Sequence, residues 1–357
     1  MKLTTVRDRR LLRPEIAELP VYATPAADAA IRLDRNESPE EPSDALREKV
    51  LSELAAARWS RYPDPYAAAL KDAIARRESL SPNSVIVANG SNALFFSLFV
   101  AIASPGRPVA ICPPTFGLYA PWIRGAGGEP RPFPLAEEDL SPPVGEMLSA
   151  AAAEPDLAFV LCSPNNPTGT VFPRDGLVAL AGSGALIVVD EAYAEFSGST
   201  ARDLLPRFRN LVVARTLSKA MALAGARIGY MLGAPELLAE IEKLLPPYGV
   251  NLFARAAAVA TLADEAGIHR RVEAIVAERE RMARALEVLP GARLSASAAN
   301  FLYMRPERPA MELFEALRRR GILVRRVAGT RAEALRVTVG HPAENDRFLE
   351  AWKEVIA

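Results

Sequence analysis

The sequence predicts an α/β protein built on a mainly parallel sheet that helices cover on both faces. Short runs of β-branched or continuously apolar residues predict the strands, at residues 84–88, 108–112, 157–162, 185–189 and 210–215. Helical patterns follow or intervene, as at residues 92–103 and 220–224. Continuous apolar strands that alternate with helices are typical of parallel sheets buried on both sides.

The segments on either side of this pattern predict an N-terminal arm and a smaller α+β unit. Residues 1–40 are rich in Pro, Ala and charge, and apolar stripes at helical spacing follow at residues 44–58 and 66–78. Beyond residue 235 we expect helices over 236–245, 252–289 and 309–320, and strands over 293–304, 321–327 and 335–340. The expected division is therefore an arm (1–40) that joins the small domain, a large domain (41–250) and a small domain (251–357).

Composition and charge exclude several classes of protein. The chain has 43 basic and 43 acidic residues, whereas polyanion-binding proteins need an excess of cations. Two cysteines cannot form a disulfide framework, and two distant histidines argue against a His-rich metal site. No apolar run reaches the roughly 18 residues that span a bilayer, and the N-terminus lacks a secretory pattern. We expect a cytoplasmic protein with no metal and no nucleic-acid or membrane partner.

The polar residues that follow the predicted strands are the candidates for function, because ligands bind beyond the carboxyl ends of parallel strands. Asp190 follows the fourth run, and Tyr193 comes three residues later. A carboxylate at such a position is costly unless it meets a cation. Lys219 follows the fifth run, and Arg227 comes eight residues after it. A lysine can form a Schiff base with an aldehyde, and an Asp can hold a protonated ring nitrogen.

The other three strand ends each allow a structural and a functional interpretation. Ser91 and Asn92 open a helix after a glycine, which indicates either an N-capped turn or an anion-binding cup. Phe116 is suited either to core packing or to stacking on a flat ligand. Asn166 lies in a turn whose Asn, Pro and Gly content could serve shape alone. One ligand accounts for all five ends: a flat, phosphorylated, carbonyl-bearing heteroaromatic cation.

These residues carry a resemblance to a known family. Residues 163–169, 190–193 and 216–219, with Arg227, resemble the fold-type-I pyridoxal-phosphate aminotransferases. The match runs from residues 33–37 to residues 335–340, and it is most similar to the histidinol-phosphate aminotransferases. The resemblance implies a parallel sheet flanked by helices, a small C-terminal domain and a homodimer.

The resemblance also implies roles for the site residues. Lys219 would bind the aldehyde of pyridoxal 5'-phosphate and move the substrate proton, and Asp190 would pair with the ring nitrogen. Tyr193 and Asn166 would bind the ring hydroxyl, and Phe116 would stack on the ring. The cofactor phosphate would be held by a set of backbone and side-chain donors: Ser91, Asn92, Thr216, Ser218, Arg227 and Tyr62 of the partner subunit.

For the substrate, the resemblance points to Arg336, Arg325 and Tyr22, together with Asn166. Two arginines suit a phosphate dianion better than a carboxylate, although Arg325 could equally be a surface residue. The implied reaction converts histidinol phosphate and 2-oxoglutarate to imidazole-acetol phosphate and glutamate. The alternatives are an aromatic amino-acid aminotransferase and an enzyme like threonine-phosphate decarboxylase. A regulator with a DNA-binding domain has no room before the first helix, and a dinucleotide-binding module lacks its glycine fingerprint.

Overall fold

The computed structural model describes residues 13–19, 21, 29–327 and 333–356. In this part of the chain the strands are β1 Ile31–Leu33, β2 Val85–Ala88, β3 Val109–Ile111, β4 Pro130–Pro132, β5 Ala158–Cys162, β6 Ile187–Asp190, β7 Leu211–Thr216, β8 Gly229–Gly233, β9 Ala292–Ser295, β10 Phe301–Pro306, β11 Ile322–Val327 and β12 Ala334–Thr338. The α-helices are α1 Pro14–Ala17, α2 Asp44–Ala56, α3 Ala68–Glu78, α4 Ser91–Ile102, α5 Tyr119–Ala126, α6 Val144–Ala153, α7 Arg174–Gly182, α8 Pro235–Glu242, α9 Leu252–Leu262, α10 Glu265–Glu287, α11 Ala310–Arg319 and α12 Pro342–Ile356. Among these described helices, none has the length and apolar character needed to cross a membrane.

Seven strands form the larger sheet, in the order β2-β8-β7-β6-β5-β3-β4. All five predicted apolar runs are strands of this sheet, and the pairs from β7 to β4 are parallel. The mainly parallel α/β fold is therefore confirmed. β8 is a strand that the sequence analysis missed, and it lies antiparallel between β2 and β7. It runs antiparallel to β7 because a turn, and not a crossover helix, connects the two.

The larger sheet is buried on both faces, which explains why its strands are apolar throughout. Val85 and Val87 of β2 pack into one hydrophobic core, whereas Ile86 and Ala88 pack into another. Successive side chains of a strand point to opposite faces, so both faces must be covered. Because helices and loops cover both faces of the sheet, a site can form only at the ends of its strands.

The smaller sheet has the order β1-β11-β12-β10-β9. β1 comes from the N-terminal part of the chain and pairs in parallel with β11, with Leu33 opposite Val324. β11 and β12 are antiparallel, and Arg325 lies opposite Arg336. The order β1-β11-β12 brings the residues that directly follow β1 close to β12.

Three sequence predictions are wrong in detail. The predicted helix over residues 252–289 is two helices, because the Asp264 carboxylate accepts a hydrogen bond from the Gly267 N–H at 3.0 Å and so caps the start of α10. The predicted strand over residues 293–304 is the antiparallel pair β9 and β10. Residues 220–224 form turns and no helix, since Ala222 has a φ of +55° and the Leu223 N–H donates to the Leu217 carbonyl at 3.0 Å.

Candidate active site

Lys219 lies just beyond the end of β7, in the turn that leads to β8. The turn is shaped by the Thr216 hydroxyl, which accepts a hydrogen bond from the Ser218 N–H at 3.1 Å. Nζ of Lys219 donates to the carbonyl oxygen of Arg35 at 2.9 Å. Burial, and then the positive charge of Arg336, lower the pKa of this amine to about 7. A substantial fraction of Lys219 is therefore uncharged and nucleophilic near neutral pH.

Asp190 ends β6, the strand next to β7 in the sheet. Its Oδ2 accepts a hydrogen bond from the Tyr119 hydroxyl at 2.5 Å, and its Oδ1 accepts one from the Ala192 N–H at 3.1 Å. Burial raises the pKa of this carboxyl to about 6, while both hydrogen bonds act in the opposite direction. The carboxylate is held in one orientation, and a cation placed beside it would be strongly stabilised.

Tyr193 and Asn166 meet at the predicted site. The Tyr193 hydroxyl accepts hydrogen bonds from Nδ2 of Asn36 at 3.0 Å and from Nδ2 of Asn166 at 3.4 Å. The Tyr193 ring packs edge-on against Phe301, with 5.2 Å between centroids. Nζ of Lys219 lies 5.9 Å from the centroid of the same ring. The structure thus brings the amine, the phenol and the amide together, although they come from three separate turns.

Arg336 joins this group from the smaller sheet. Its Nη1 donates to Oδ1 of Asn166 at 2.7 Å, and its Nη2 donates to the carbonyl oxygen of Asp34 at 2.6 Å. Residues directly opposite each other in an antiparallel pair project from the same face of the sheet. Arg325 is the residue opposite Arg336, so the two predicted substrate arginines share a face.

The start of α4 faces the guanidinium of Arg227. Gly90, with a φ of +86°, precedes Ser91, and a Cβ atom on Gly90 would lie 2.9 Å from Nη2 of Arg227. A Cβ atom on Gly229 would lie 2.2 Å from the backbone nitrogen of Ser91. Glycine is required at position 229 by this contact with backbone, and at position 90 by the positive φ. Free N–H groups of a helix start beside a guanidinium form a site for an anion such as phosphate.

The remaining predicted residues occupy different places. Phe116 is half-buried and contacts Tyr119 edge-on, with 5.3 Å between ring centroids. Tyr62 is 84% exposed, and its ring lies 4.8 Å from that of Tyr248. The hydroxyls of Thr216 and Ser218 are hydrogen-bonded to each other at 3.0 Å, in the turn that holds Lys219. Tyr22 lies outside the described residues.

Three residues at the site were missed by the sequence reasoning. Tyr119 contacts Asp190 and Asn36 contacts Tyr193, while Asp34 supplies the carbonyl that holds Arg336. Asn36 has a φ of +54°, an unusual conformation for a residue other than glycine. The segment 33–37 carries part of the family resemblance, which was the available signal for Asn36. Tyr119 has no such signal, since its partner is 71 residues away in sequence.

The comparisons with known proteins agree with this geometry. The family model "Aminotransferase class I and II" matches residues 29–351. The chain belongs to this family. It is therefore an aminotransferase. A relative from Chlorobaculum tepidum, named histidinol-phosphate aminotransferase, is 37% identical over 352 residues, covering 97% of this chain and 100% of that one. Another of the same name, from Desulfitobacterium hafniense, is 35% identical and covers 97% of each chain.

Solved structures confirm the fold of the aminotransferase. The histidinol-phosphate aminotransferase from Sinorhizobium meliloti, solved in complex with pyridoxal-5'-phosphate, superposes with a TM-score of 0.89. It is 27% identical in sequence, and the match covers 99% of each chain. Aspartate aminotransferase from Thermotoga maritima, at 20% identity, superposes with a TM-score of 0.84 over 97% of this chain and 100% of that one. Among the described residues, no group of three or more His, Cys, Asp or Glu side chains is placed to hold a metal ion.

Proposed function

We propose that the protein is a pyridoxal 5'-phosphate-dependent aminotransferase that transfers the amino group of histidinol phosphate to 2-oxoglutarate. The observation that carries the proposal is the position of Lys219, a half-buried amine with a pKa lowered to about 7, in the same crevice as Asp190, Tyr193 and Arg336. The names of the relatives support the substrate. The proposed reaction forms imidazole-acetol phosphate and glutamate, and it belongs to histidine biosynthesis in the cytoplasm.

The residues fit the cofactor. Gly229 lets the start of α4 pack closely on β8, and the Arg227 guanidinium lies against Gly90, the residue that precedes this helix. Backbone groups of Ser91 and Asn92 would hold the cofactor phosphate there. Thr216 lies directly opposite Gly229 in the antiparallel pair of β7 and β8, so its side chain projects from the face on which α4 begins. Its hydroxyl and that of Ser218, to which it is hydrogen-bonded, would complete the phosphate site.

The catalytic residues divide the remaining tasks. When bound, pyridoxal 5'-phosphate supplies an aldehyde that accepts amino groups and a ring that withdraws electrons. Asp190 would keep the ring nitrogen protonated by ion pairing, and Phe116 would stack on the ring. Tyr193 and Asn166 would donate hydrogen bonds to the ring hydroxyl. The Lys219 amine would remove a proton from the substrate carbon and return it, which its lowered pKa permits near neutral pH.

Arg336 and Arg325 are the proposed substrate-binding residues. Arg336 is oriented by Asn166 and by the Asp34 carbonyl, and Arg325 shares its face of the smaller sheet. A pair of guanidinium groups can bind a phosphate dianion through several charge-assisted hydrogen bonds. Tyr22 would close the site from the arm. These residues favour a phosphorylated amine over an uncharged aromatic side chain.

We also propose a homodimer in which Tyr62 of each subunit reaches the cofactor phosphate of the other. An exposed aromatic surface supports this assembly: Trp59, Tyr62 and Tyr66 are 67%, 84% and 56% exposed, and Phe253 beside Trp59 is 48% exposed. Clusters of exposed apolar side chains are typical of protein–protein interfaces. The arm, large domain and small domain are proposed at residues 1–40, 41–250 and 251–357.

Reduction with borohydride tests the site. The purified protein with pyridoxal 5'-phosphate should absorb visible light. Reduction should attach the cofactor covalently to Lys219, where it serves as a label. Lys71 is the internal control, since it is also mostly buried but is paired with Glu242. Recovery of the label on Lys71 would contradict the assignment.

Substrate assays test the second half of the proposal. With 2-oxoglutarate as acceptor, kcat/KM should be higher for histidinol phosphate than for phenylalanine. A higher value for phenylalanine would identify an aromatic amino-acid aminotransferase instead. Release of carbon dioxide from threonine phosphate would identify a decarboxylase.

A further inference from the structure

Tyr119 is fully buried beneath the site and has no role in the steps described above. Its ring packs in an aromatic cluster, 5.3 Å from the centroid of Phe95 and 5.3 Å from that of Phe116. Its hydroxyl donates to Oδ2 of Asp190 at 2.5 Å. Because the ring cannot turn without disturbing the cluster, the phenol is fixed toward the carboxylate. One side chain therefore touches both the proposed stacking residue and the proposed partner of the ring nitrogen.

The phenol stabilises the charged form of Asp190. Burial alone drives a carboxyl toward its neutral form, and a hydrogen bond donated to the carboxylate opposes this. The pKa of Tyr119 is itself raised well above its ordinary value, by burial and then by the charge of Asp190, so its hydroxyl keeps its proton and stays a donor. The second donor, the Ala192 N–H, lies on the other oxygen. Each carboxylate oxygen thus has a fixed donor and keeps further lone-pair capacity for a ligand.

We propose that Tyr119 is a positioning residue that keeps Asp190 ionised and aimed at the ring nitrogen of the cofactor. The inference rests on the proposed function, because Asp190 meets a ring nitrogen only if the cofactor is pyridoxal 5'-phosphate. Without the phenol, the proton between the two groups shifts from the ring nitrogen toward the carboxylate. A ring that holds this proton less firmly binds more weakly to Asp190 and withdraws electrons less.

The test compares two variants that each remove one buried phenol oxygen. Tyr119→Phe removes the hydrogen bond to Asp190. Tyr230→Phe is the matched control, since Tyr230 is equally buried and its hydroxyl donates to a different buried carboxylate, Glu78, at 2.8 Å. In the cofactor-free protein, carbon-13 NMR of the Asp190 carboxyl should show a pKa at least about one unit higher in Tyr119→Phe, the size expected for a lost hydrogen bond to a charged group. Tyr230→Phe should leave that pKa unchanged.

Cofactor affinity provides the second measurement. The Kd for pyridoxal 5'-phosphate should rise about tenfold in Tyr119→Phe and stay at the wild-type value in Tyr230→Phe. In an Asp190→Asn background, Tyr119→Phe should add little to the Kd, because a residue that acts through Asp190 has no effect once the carboxylate is gone. The same comparison covers the case in which Tyr119→Phe folds poorly. Poor folding would raise the Kd by a similar factor in the wild-type and the Asp190→Asn backgrounds.

The outcomes separate this inference from the proposed function. An unchanged Asp190 pKa in Tyr119→Phe, or a full additional loss of affinity in the Asp190→Asn background, would overturn the role of Tyr119. A wild-type protein that does not bind pyridoxal 5'-phosphate would overturn the proposed function. The NMR measurement on cofactor-free protein would still decide whether Tyr119 controls the ionisation of Asp190.

Discussion

Replacing Arg215 with methionine should destabilise the cofactor-free protein far more than the loss of a surface ion pair. Nη1 of Arg215 donates to both oxygens of Glu78, at 3.0 and 3.2 Å, and Nε and Nη2 donate to Oε2 of Glu191 at 3.0 and 2.7 Å. The three side chains are 10%, 4% and 2% exposed. Water cannot reach the two carboxylates to replace the lost guanidinium.

The expected loss is about 3–5 kcal/mol, the range measured when one partner of a buried ion pair is removed. Glu78 retains a hydrogen bond from Tyr230 and lies 3.8 Å from Nε of Arg202, so it is partly compensated. Glu191 retains hydrogen bonds from the Thr200 hydroxyl, at 2.8 Å, and from the Ala201 N–H, but it no longer contacts its cation. Methionine fills much of the volume of the arginine stem, so the loss reports mainly on charge.

Arg174→Met is the matched control. Arg174 makes a two-pronged contact with Asp203 at 3.0 and 2.6 Å, with side chains 46% and 50% exposed, and it also donates to the Thr200 carbonyl at 2.7 Å. Exposed pairs contribute about 0–1 kcal/mol. Urea unfolding of both variants, followed by tryptophan fluorescence, gives the comparison through the shift in midpoint at constant slope.

The reasoning is refuted if Arg215→Met is no more destabilised than Arg174→Met. A further variant separates charge from packing. Adding Glu78→Gln and Glu191→Gln to Arg215→Met removes the unpaired charges, so part of the lost stability should return. If the triple variant is less stable than Arg215→Met, the packing of the guanidinium, and not its charge, stabilises this region.

Three other predictions concern the site. The rate at which the cofactor-free protein incorporates pyridoxal 5'-phosphate should rise with pH around pH 7, because the Lys219 amine loses its proton there and only the neutral amine attacks an aldehyde; a midpoint near 10.5, its ordinary pKa, would contradict this in a stopped-flow titration. Arg325→Ala should lower kcat/KM for histidinol phosphate about tenfold or more, as expected for a lost charge-assisted bond, and change the value for phenylalanine much less; equal losses would argue against phosphate binding. Mixing chains that carry Lys219→Ala with chains that carry Tyr62→Ala should restore activity, because one site of each mixed dimer has both residues intact; no recovery after verified mixing would place Tyr62 in its own subunit's site.

Much of the site could be predicted because it follows local patterns. β6 and β7 are short apolar runs, and the parallel arrangement places their carboxyl ends side by side. Asp190 directly follows the first of these runs and Lys219 lies four residues beyond the second, so their proximity required only the correct order of strands. The exact strand bounds were wrong by one or two residues, since Asp190 and Thr216 themselves belong to the strands. An error of one or two residues in these bounds changes little, because the backbone of the strand sets the direction of the side chain at its end.

The parts that could not be predicted depend on contacts between distant segments. β8 was missed since Gly229 and Gly233 bound its apolar run, and glycine is uncommon inside strands. The break at Asp264 lies within a stretch whose apolar periodicity continues on both sides, and only the capping contact with Gly267 reveals it. The hydrogen bond from Tyr119 to Asp190 joins residues in two separate α/β units, and no local pattern encodes it.

Arg215, Glu78 and Glu191 form a cluster of buried ion pairs. Two pairs of residues that are adjacent in the chain connect this cluster to the site. Asp190 is directed toward Tyr119 and the site, whereas Glu191, the next residue, is directed toward Arg215. Arg215 in turn precedes Thr216, whose hydroxyl shapes the turn that holds Lys219. Successive side chains of a strand point to opposite faces of the sheet. The ion pairs of Arg215 on one face therefore hold in place the backbone that orients Asp190 and Lys219 on the other face. Arg215→Met should therefore weaken cofactor binding as well as stability. Arg174→Met removes no hydrogen bond made by Arg215 or Glu191 themselves, so it should leave cofactor binding unchanged.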